Sequence, residues 1–287
     1  MANPMYFQPK TLFKMPANLR KVLGNGQKSD TFLEAMQLQG KTFRDVPGRK
    51  TSQVTLLGKQ YFIKQHFGVG WREIVKNIVS LKKPILGAMT EVYAIQKIDA
   101  LGIATTPLVA YGQRGNNPAN LQSFVMTEDL GDIISLEDLC ATWKNTPPNA
   151  KFKRKLIIAT AKLAKTIHEN GVNHRDFYLC HLCLDAHHVI HCDLTKLNLY
   201  LIDLHRVLVH NHPSTTANMK DMAALYFSSM DVGLTQKDYL RFKMYYQRQT
   251  HSFWHKVEAR AVKLYAKFKS DKFQKKLAFE RTKLNDE

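Results

Sequence analysis

Val172-Asn173-His174-Arg175-Asp176-Phe177-Tyr178-Leu179-Cys180-His181, with Leu201-Ile202-Asp203-Leu204-His205-Arg206 downstream, is the stretch on which the reading of this chain turns. A segment of helical periodicity that stops at Gly171 precedes it, and a pair of short apolar runs leads from it to Asp203. An Asp inside His-Arg-Asp, a polar residue five positions on, and a later Asp at a strand end form an ordered set. It supplies a base for a hydroxyl proton, a neighbour that helps hold metal, and a carboxylate for a divalent cation that bridges phosphates. Asp176, His181 and Asp203 stand at those places, and His174 and Arg175 complete the tripeptide. Any exposed turn can carry a lone His-Arg-Asp, so the order of the pieces matters more than the tripeptide.

The 287 residues can bury one large core or two small ones, and 44% hydrophobic content is ordinary for a globular chain. The charge is unusual: 42 Lys+Arg against 24 Asp+Glu leaves +18, which attracts polyanions. No zinc-finger spacing and no RRM-type aromatic motif is present, so no nucleic-acid partner is expected. The start, Met1 to Lys10, lacks the pattern of a signal peptide, and no apolar run approaches the roughly 20 residues of a membrane span. The expectation is a cytoplasmic protein whose cysteines, Cys140, Cys180, Cys183 and Cys192, are reduced thiols.

Alternating segments around Gly58, at 54–57 and 59–64, predict a hairpin. A helix is expected from Thr90, read as its N-cap, to Ala100, closed by Gly102, and strands at 107–112 and 123–128. Beyond Gly131 the pattern turns helical: a short helix opened by Ser135, a longer one from Lys151 to Asn170, and further helices between Met219 and Leu277. This is an α+β chain of two lobes, a small β-rich N-terminal lobe at 1–128 and a larger helical lobe at 129–287, with a hinge near Glu128 to Gly131.

Lys64 ends an alternating strand and Glu91 begins the next helix, the arrangement that aims a lysine at nucleotide phosphates and holds it with a carboxylate. The turn Pro47-Gly48-Arg49-Lys50-Thr51-Ser52 offers one glycine where a Gly-rich loop has several. Its backbone N–H groups at Gly48, the Arg49 and Lys50 cations and the Thr51 and Ser52 hydroxyls can still hold phosphates. Glu128 at the hinge completes the expected ATP site, and Asp221 is expected to anchor the catalytic-loop backbone from the helix below.

With these pieces placed, the chain resembles the lipopolysaccharide core heptose kinase family (WaaP, or RfaP), a branch of the protein-kinase-like superfamily. The most specific matches are Asn173-His174-Arg175-Asp176 with Cys180-His181, Ile202-Asp203-Leu204-His205-Arg206, Met126-Thr127-Glu128-Asp129-Leu130 with Ser135-Leu136-Glu137-Asp138, and Pro84-Ile85-Leu86-Gly87-Ala88. The resemblance implies a two-lobed protein-kinase-like fold and ATP-dependent phosphorylation of heptose I of the lipopolysaccharide inner core, with Mg²⁺. It also implies a working place at the cytoplasmic face of the bacterial inner membrane. It carries over Asp176 as base and Asp203 as metal ligand, and an acyl carrier protein as an acidic partner that the positive charge suits. Alternatives are a related kinase acting on Kdo or another core sugar, and a non-catalytic basic pseudokinase that binds anionic glycolipid. The chain has no Ala-Pro-Glu between Asp203 and the helix near Lys220-Asp221, hence no platform for a peptide acceptor.

His181 stands where kinases carry Asn, and an imidazole is a poor Mg²⁺ ligand, so it ligates a softer metal or touches phosphate. His205 replaces the Gly of Asp-Phe-Gly and restricts the backbone switching that Gly permits. A rival reading makes Cys180, His181, Cys183, His187, His188, His191 and Cys192 a zinc site, against which Cys183 belongs to a strand and 187–192 to a connection between strands. Finally, Trp71, Ile74, Val75, Ile78 and Val79 share a helical face beside Arg72, Lys76, Lys82 and Lys83, a pattern that suits contact with an acceptor glycolipid or an anionic membrane.

Overall fold

A computed structural model describes residues 11–24, 30–79, 87–190, 197–247 and 249–285. The chain divides into two compact units, residues 1–132 with 200–209, and residues 133–199 with 210–287.

The first unit is built on a six-stranded antiparallel sheet. Its elements are β1 (Thr11–Lys14), α1 (Ala17–Leu23), α2 (Thr31–Gln37), β2 (Lys41–Val46), β3 (Arg49–Leu56), β4 (Lys59–His66), α3 (Gly70–Val79), α4 (Met89–Ala100), β5 (Leu108–Arg114) and β6 (Gln122–Glu128). The strand order is β1-β5-β6-β4-β3-β2. The hairpin falls where Gly58 predicts it, and Leu57 and Gly58 both take positive φ, 52° and 76°, as a two-residue turn matching strand twist demands. β3 and β4 run unbroken from Arg49↔His66 to Leu56↔Lys59, and β4 continues in register with β6. Side chains therefore alternate without slippage: Thr51, Lys64 and Val125 point to one face, and Ser52, Ile63 and Met126 to the other.

That second face is the core. Val54, Tyr61, Ile63, Phe124 and Met126 pack against Met15, Leu19, Phe32, Ala35 and Met36 from the α1–α2 region. Each such buried side chain contributes roughly 1.5–3 kcal/mol. Asp30 caps α2 by accepting from the Phe32 and Leu33 amides, and the buried Gln65 side chain donates to the Ala35 and Leu38 carbonyls at the other end. Helix α4 starts two residues earlier than expected, with Ala88 at the N-cap and Thr90 inside the first turn, and the Ser123 hydroxyl accepts the Ala88 amide at that end. Its Val92, Ile95 and Ile98 are buried, and Gly102 at φ 70° closes it.

The segment Tyr200–Val209 belongs to this unit through Ala104 and Thr105. The Leu201 amide donates to the Ala104 carbonyl, and the Thr105 hydroxyl donates to the Leu201 carbonyl.

The second unit is helical around a short antiparallel strand pair. It comprises β7 (Ile133–Ser135), α5 (Leu136–Cys140), α6 (Ala150–Glu169), a strand at Leu182–Asp185 paired with β7, α7 (Ala186–Ile190), α8 (Thr215–Ser229), α9 (Gln236–Tyr246), α10 (His251–Lys269) and α11 (Asp271–Asn285). Side-chain caps set the helix starts: Ser135, Asn149, Ser214 and Thr250, and a reciprocal capping box between Thr235 and Asp238. On α6 the buried face is Phe152, Leu156, Ile157, Ala161, Ala164 and Ile167, and Gly171 at φ 69° ends the turn that follows. The expected connection after Asp185 contains a helical turn, α7, which Asp185 caps by accepting the His187 amide. No described helix is long and apolar enough to cross a membrane.

Candidate active site

The first unit assembles one group of the expected residues. Lys64 Nζ lies 2.6 Å from Glu91 Oε1 and 3.5 Å from Asp203 Oδ1, and Asp203 Oδ1 is 2.6 Å from His205 Nδ1. The local reasons are legible: Lys64 is fixed by its strand register, Glu91 by the first turn of α4, and Asp203 by the tether of Leu201 to Ala104 and Thr105. Asp203 adopts a left-handed backbone, φ 58°, a conformation tolerated by Asp and used to re-aim its carboxylate. Burial pulls the Lys64 ammonium down, but the Glu91 and Asp203 carboxylates outweigh it and hold its pKa above the ordinary lysine value. The lysine is therefore a fixed cation.

Of the turn residues, Thr51 shares the face of Lys64, whereas Ser52 lies on the opposite, core face with its hydroxyl fully buried. The Ser52 side chain is thus directed away from Lys64. Gly48 has a structural reason of its own: φ is 79°, and a Cβ there would run into the Gly68 carbonyl oxygen. Arg49 lies on the Lys64 face, close enough to Glu91 and Asp203 to feel both carboxylates. Glu128 sits at the end of β6 with its side chain on the core-side parity, and its amide donates to the Pro107 carbonyl.

One residue of this region went unread in sequence. His66 pairs with Arg49 across the strands and is buried, its Nδ1 without a hydrogen-bond partner among the described residues. Burial first, then the charges of Arg49, Lys64 and His205, push its pKa down to about 3, so the ring is neutral.

The second unit assembles the loop around Asp176. Asp221, buried on α8, accepts the backbone amides of His174 and Arg175 at 2.8 and 2.9 Å and the Asn173 side-chain amide at 3.2 Å. These bonds take up the strongly bent backbone at Arg175, whose φ is 72°. His181 places Nδ1 2.6 Å from the Asp176 carbonyl oxygen. A carbonyl only accepts, so Nδ1 carries the proton and donates it to the loop backbone. Behind Asp221 stand His168 and Tyr246, two buried residues that no local motif singles out.

Zinc ligation of the Cys/His stretch finds no support among the described residues, where no cluster of three or more Cys, His, Asp or Glu side chains surrounds a point; His191 and Cys192 lie outside them. Cys183 is a buried strand residue whose thiol burial pushes up to about 11. Arg72 and Lys76 are exposed on α3, while Lys82 and Lys83 lie outside the described residues. The second unit also holds an apolar cavity of about 90 Å³ lined by Trp143, Leu156, Met222, Leu225 and Phe242 among others, which lacks the cations that phosphates require.

Comparison with known proteins supplies the frame for these two groups. The model of the lipopolysaccharide kinase (Kdo/WaaP) family matches residues 34–246. A Pseudomonas aeruginosa protein named lipopolysaccharide core heptose(I) kinase WaaP is 42% identical over 229 residues, covering 80% of this chain and 84% of the relative. An Escherichia coli protein of the same name is 40% identical over 243 residues, covering 82% and 91%. A solved structure described as WaaP in complex with acyl carrier protein is 33% identical, with a TM-score of 0.73, covering 88% of this chain and 99% of its own. The mixed α+β fold, the ordered residues and the length of these matches agree: the chain belongs to the lipopolysaccharide kinase (Kdo/WaaP) family.

Proposed function

We propose that the protein is an ATP-dependent kinase of lipopolysaccharide core heptose I, acting at the cytoplasmic face of the inner membrane. The observation that carries this reading is the Lys64 ammonium fixed between Glu91 and Asp203, a cation and a carboxylate set side by side as a metal–nucleotide site requires. The names of the relatives support the acceptor.

The donor set fits Mg²⁺ and nucleotide. Mg²⁺ takes one or two carboxylates and fills its shell with water and phosphate oxygens, and Asp203 is a part-exposed carboxylate of that kind. ATP, when bound, supplies the transferable phosphoryl group. In this assignment Lys64 holds the phosphates and Glu91 holds Lys64. Gly48 and Thr51 line the phosphate turn, and Glu128 contributes backbone at the hinge. Asp176 accepts the acceptor hydroxyl proton, with His174 and Arg175 shaping its loop and Asp221 fixing the loop backbone. His181, through Nε2, contacts phosphate or metal.

An acidic protein such as acyl carrier protein is the proposed partner, in keeping with the +18 charge and with the complex of the solved relative. Labelled ATP with purified core oligosaccharide tests the reading. Transfer to heptose that Asp176→Ala abolishes while nucleotide binding persists is the expected result. Efficient transfer to a peptide with the heptose ignored would remove the assignment.

A further inference from the structure

Helix α3 presents an apolar row to solvent. Trp71, Val75 and Val79 are spaced i, i+4, i+8 and are 58%, 53% and 77% exposed, while Ile74 is 5% exposed and serves the packing of α3 on the turn Pro118–Asn120. Phe67, 44% exposed, stands just ahead of the helix. Arg72 and Lys76 are exposed one position on from Trp71 and Val75, a parallel row of cations along the apolar one. The face expected to be shared by Ile74 and Val75 is therefore split, one side chain inward and the other outward.

A water-facing row of Trp and Val has no reason in the packing of the unit, and single exposed apolar residues would not align at this period. We propose that α3 is an interfacial helix that seats Trp71, Val75 and Val79, with Phe67, at the acyl boundary of an anionic bilayer while Arg72 and Lys76 engage lipid phosphates. This deepens the reading above, since it supplies the surface from which a lipid-linked acceptor is met.

Three observations favour a bilayer over other occupants. The row spans about 12 Å and is one residue wide, far from the roughly 800 Å² per partner of a stable protein interface. A second copy is disfavoured by the +18 charge on each chain. Trp beside Arg and Lys is the side-chain chemistry of the headgroup zone, where an indole ring and long cationic stems are each partly buried and partly wet.

The test uses the full chain and vesicles of phosphatidylcholine, with or without about one third phosphatidylglycerol. Flotation should show binding to the anionic vesicles only. A Trp71→Ser/Val75→Ser/Val79→Ser variant, altered only at exposed positions, should lose at least about tenfold in partitioning. Arg72→Glu/Lys76→Glu should abolish the preference for anionic lipid. The apolar variant should keep wild-type activity on lipid-free core oligosaccharide and fall about tenfold on the same acceptor embedded in vesicles.

Vesicle binding unaffected by the apolar substitutions overturns the proposal, as does a wild-type protein that stays in solution. Concentration-dependent self-association, or capture of an acidic protein, that the apolar variant loses while vesicle binding is absent overturns it too. If the wild type floats through α3 yet phosphorylates no heptose acceptor, the interfacial helix stands and the acceptor assignment fails.

Discussion

His168, wholly buried, sets its Nε2 3.2 Å from Asp221 Oδ2. The carboxylate only accepts in its charged form, so the proton sits on Nε2 and the Nδ1 lone pair receives the Tyr246 hydroxyl at 2.7 Å. Burial holds the Tyr246 phenol well above the usual tyrosine range, which keeps it a donor. A chain of hydrogen bonds from Tyr246 through His168 thus ends on the carboxylate that anchors the loop of Asp176.

Tyr246→Phe removes the first link and keeps the ring contacts with Phe242 and Phe253. The expected cost is about 1 kcal/mol in urea denaturation, that of one hydrogen bond. A loss several times larger would mean that the hydroxyl holds the whole chain through His168 to Asp221 and not one bond, and no loss would mean that the bond contributes nothing.

Asp221→Asn turns one acceptor oxygen into an NH₂ that faces the amide of His174, on the Oδ2 side, or that of Arg175, on the Oδ1 side. Roughly 3 kcal/mol of stability should be lost, because buried donors are left without acceptors. Phosphoryl transfer should fall with it. Near-wild-type stability on denaturation would show that the loop holds its bend without this anchor.

His66 predicts an acid-sensitive core. Its folded pKa of about 3 lies below the ordinary 6.5, so the unfolded chain binds the extra proton first and stability falls as pH drops from about 6.5 toward 3. The full loss approaches roughly 5 kcal/mol. Arg49 on β3, Lys64 on β4 and His205 after Asp203 supply the positive charge that opposes protonation. His66→Gln should flatten this limb of the stability–pH curve, and an unchanged limb would place the acid sensitivity elsewhere.

Ser52 and Thr51 should part company. Ser52→Ala should leave nucleotide affinity unchanged and stability equal or higher by about 1 kcal/mol, since the buried hydroxyl has no hydrogen-bond partner among the described residues. Thr51→Ala, on the Lys64 face, should weaken nucleotide binding. Calorimetric titration of both variants decides it, and the opposite ranking would mean that the β3 parity is reversed.

Glu91→Gln tests the lysine clamp. Lys64 has its folded pKa raised above 10.5, so its contribution is complete below that value and disappears only as pH climbs through the folded one. About 2 kcal/mol should be lost at neutral pH, because Lys64 retains Asp203 as a second carboxylate. The alkaline limb of stability should move to lower pH. If the two proteins lose stability at the same alkaline pH, the ion pair is not what raises the lysine.

By itself the sequence determined whatever depends on near neighbours in the chain. The Gly58 hairpin, the stops at Gly102 and Gly171, the cap at Ser135 and the order Lys64, Glu91, Asp176, Asp203 are all set by backbone preference and short-range periodicity. The tertiary structure alone decided which faces meet. Period-2 alternation puts Ser52 and Lys64 on some pair of faces, but only the cross-strand register and the α1–α2 layer decide that the Ser52 face joins the core around Phe32 and Phe124. Helical period likewise assembled Trp71, Ile74, Val75, Ile78 and Val79 into a stripe, from which the fold buries Ile74 and leaves Trp71, Val75 and Val79 exposed. His168 and Tyr246 lie 78 residues apart and Thr105 and Leu201 96 apart, so their hydrogen bonds leave no periodic trace in the chain. Such pairs form only when packing has removed water and a buried polar group must find whatever partner the fold has brought beside it.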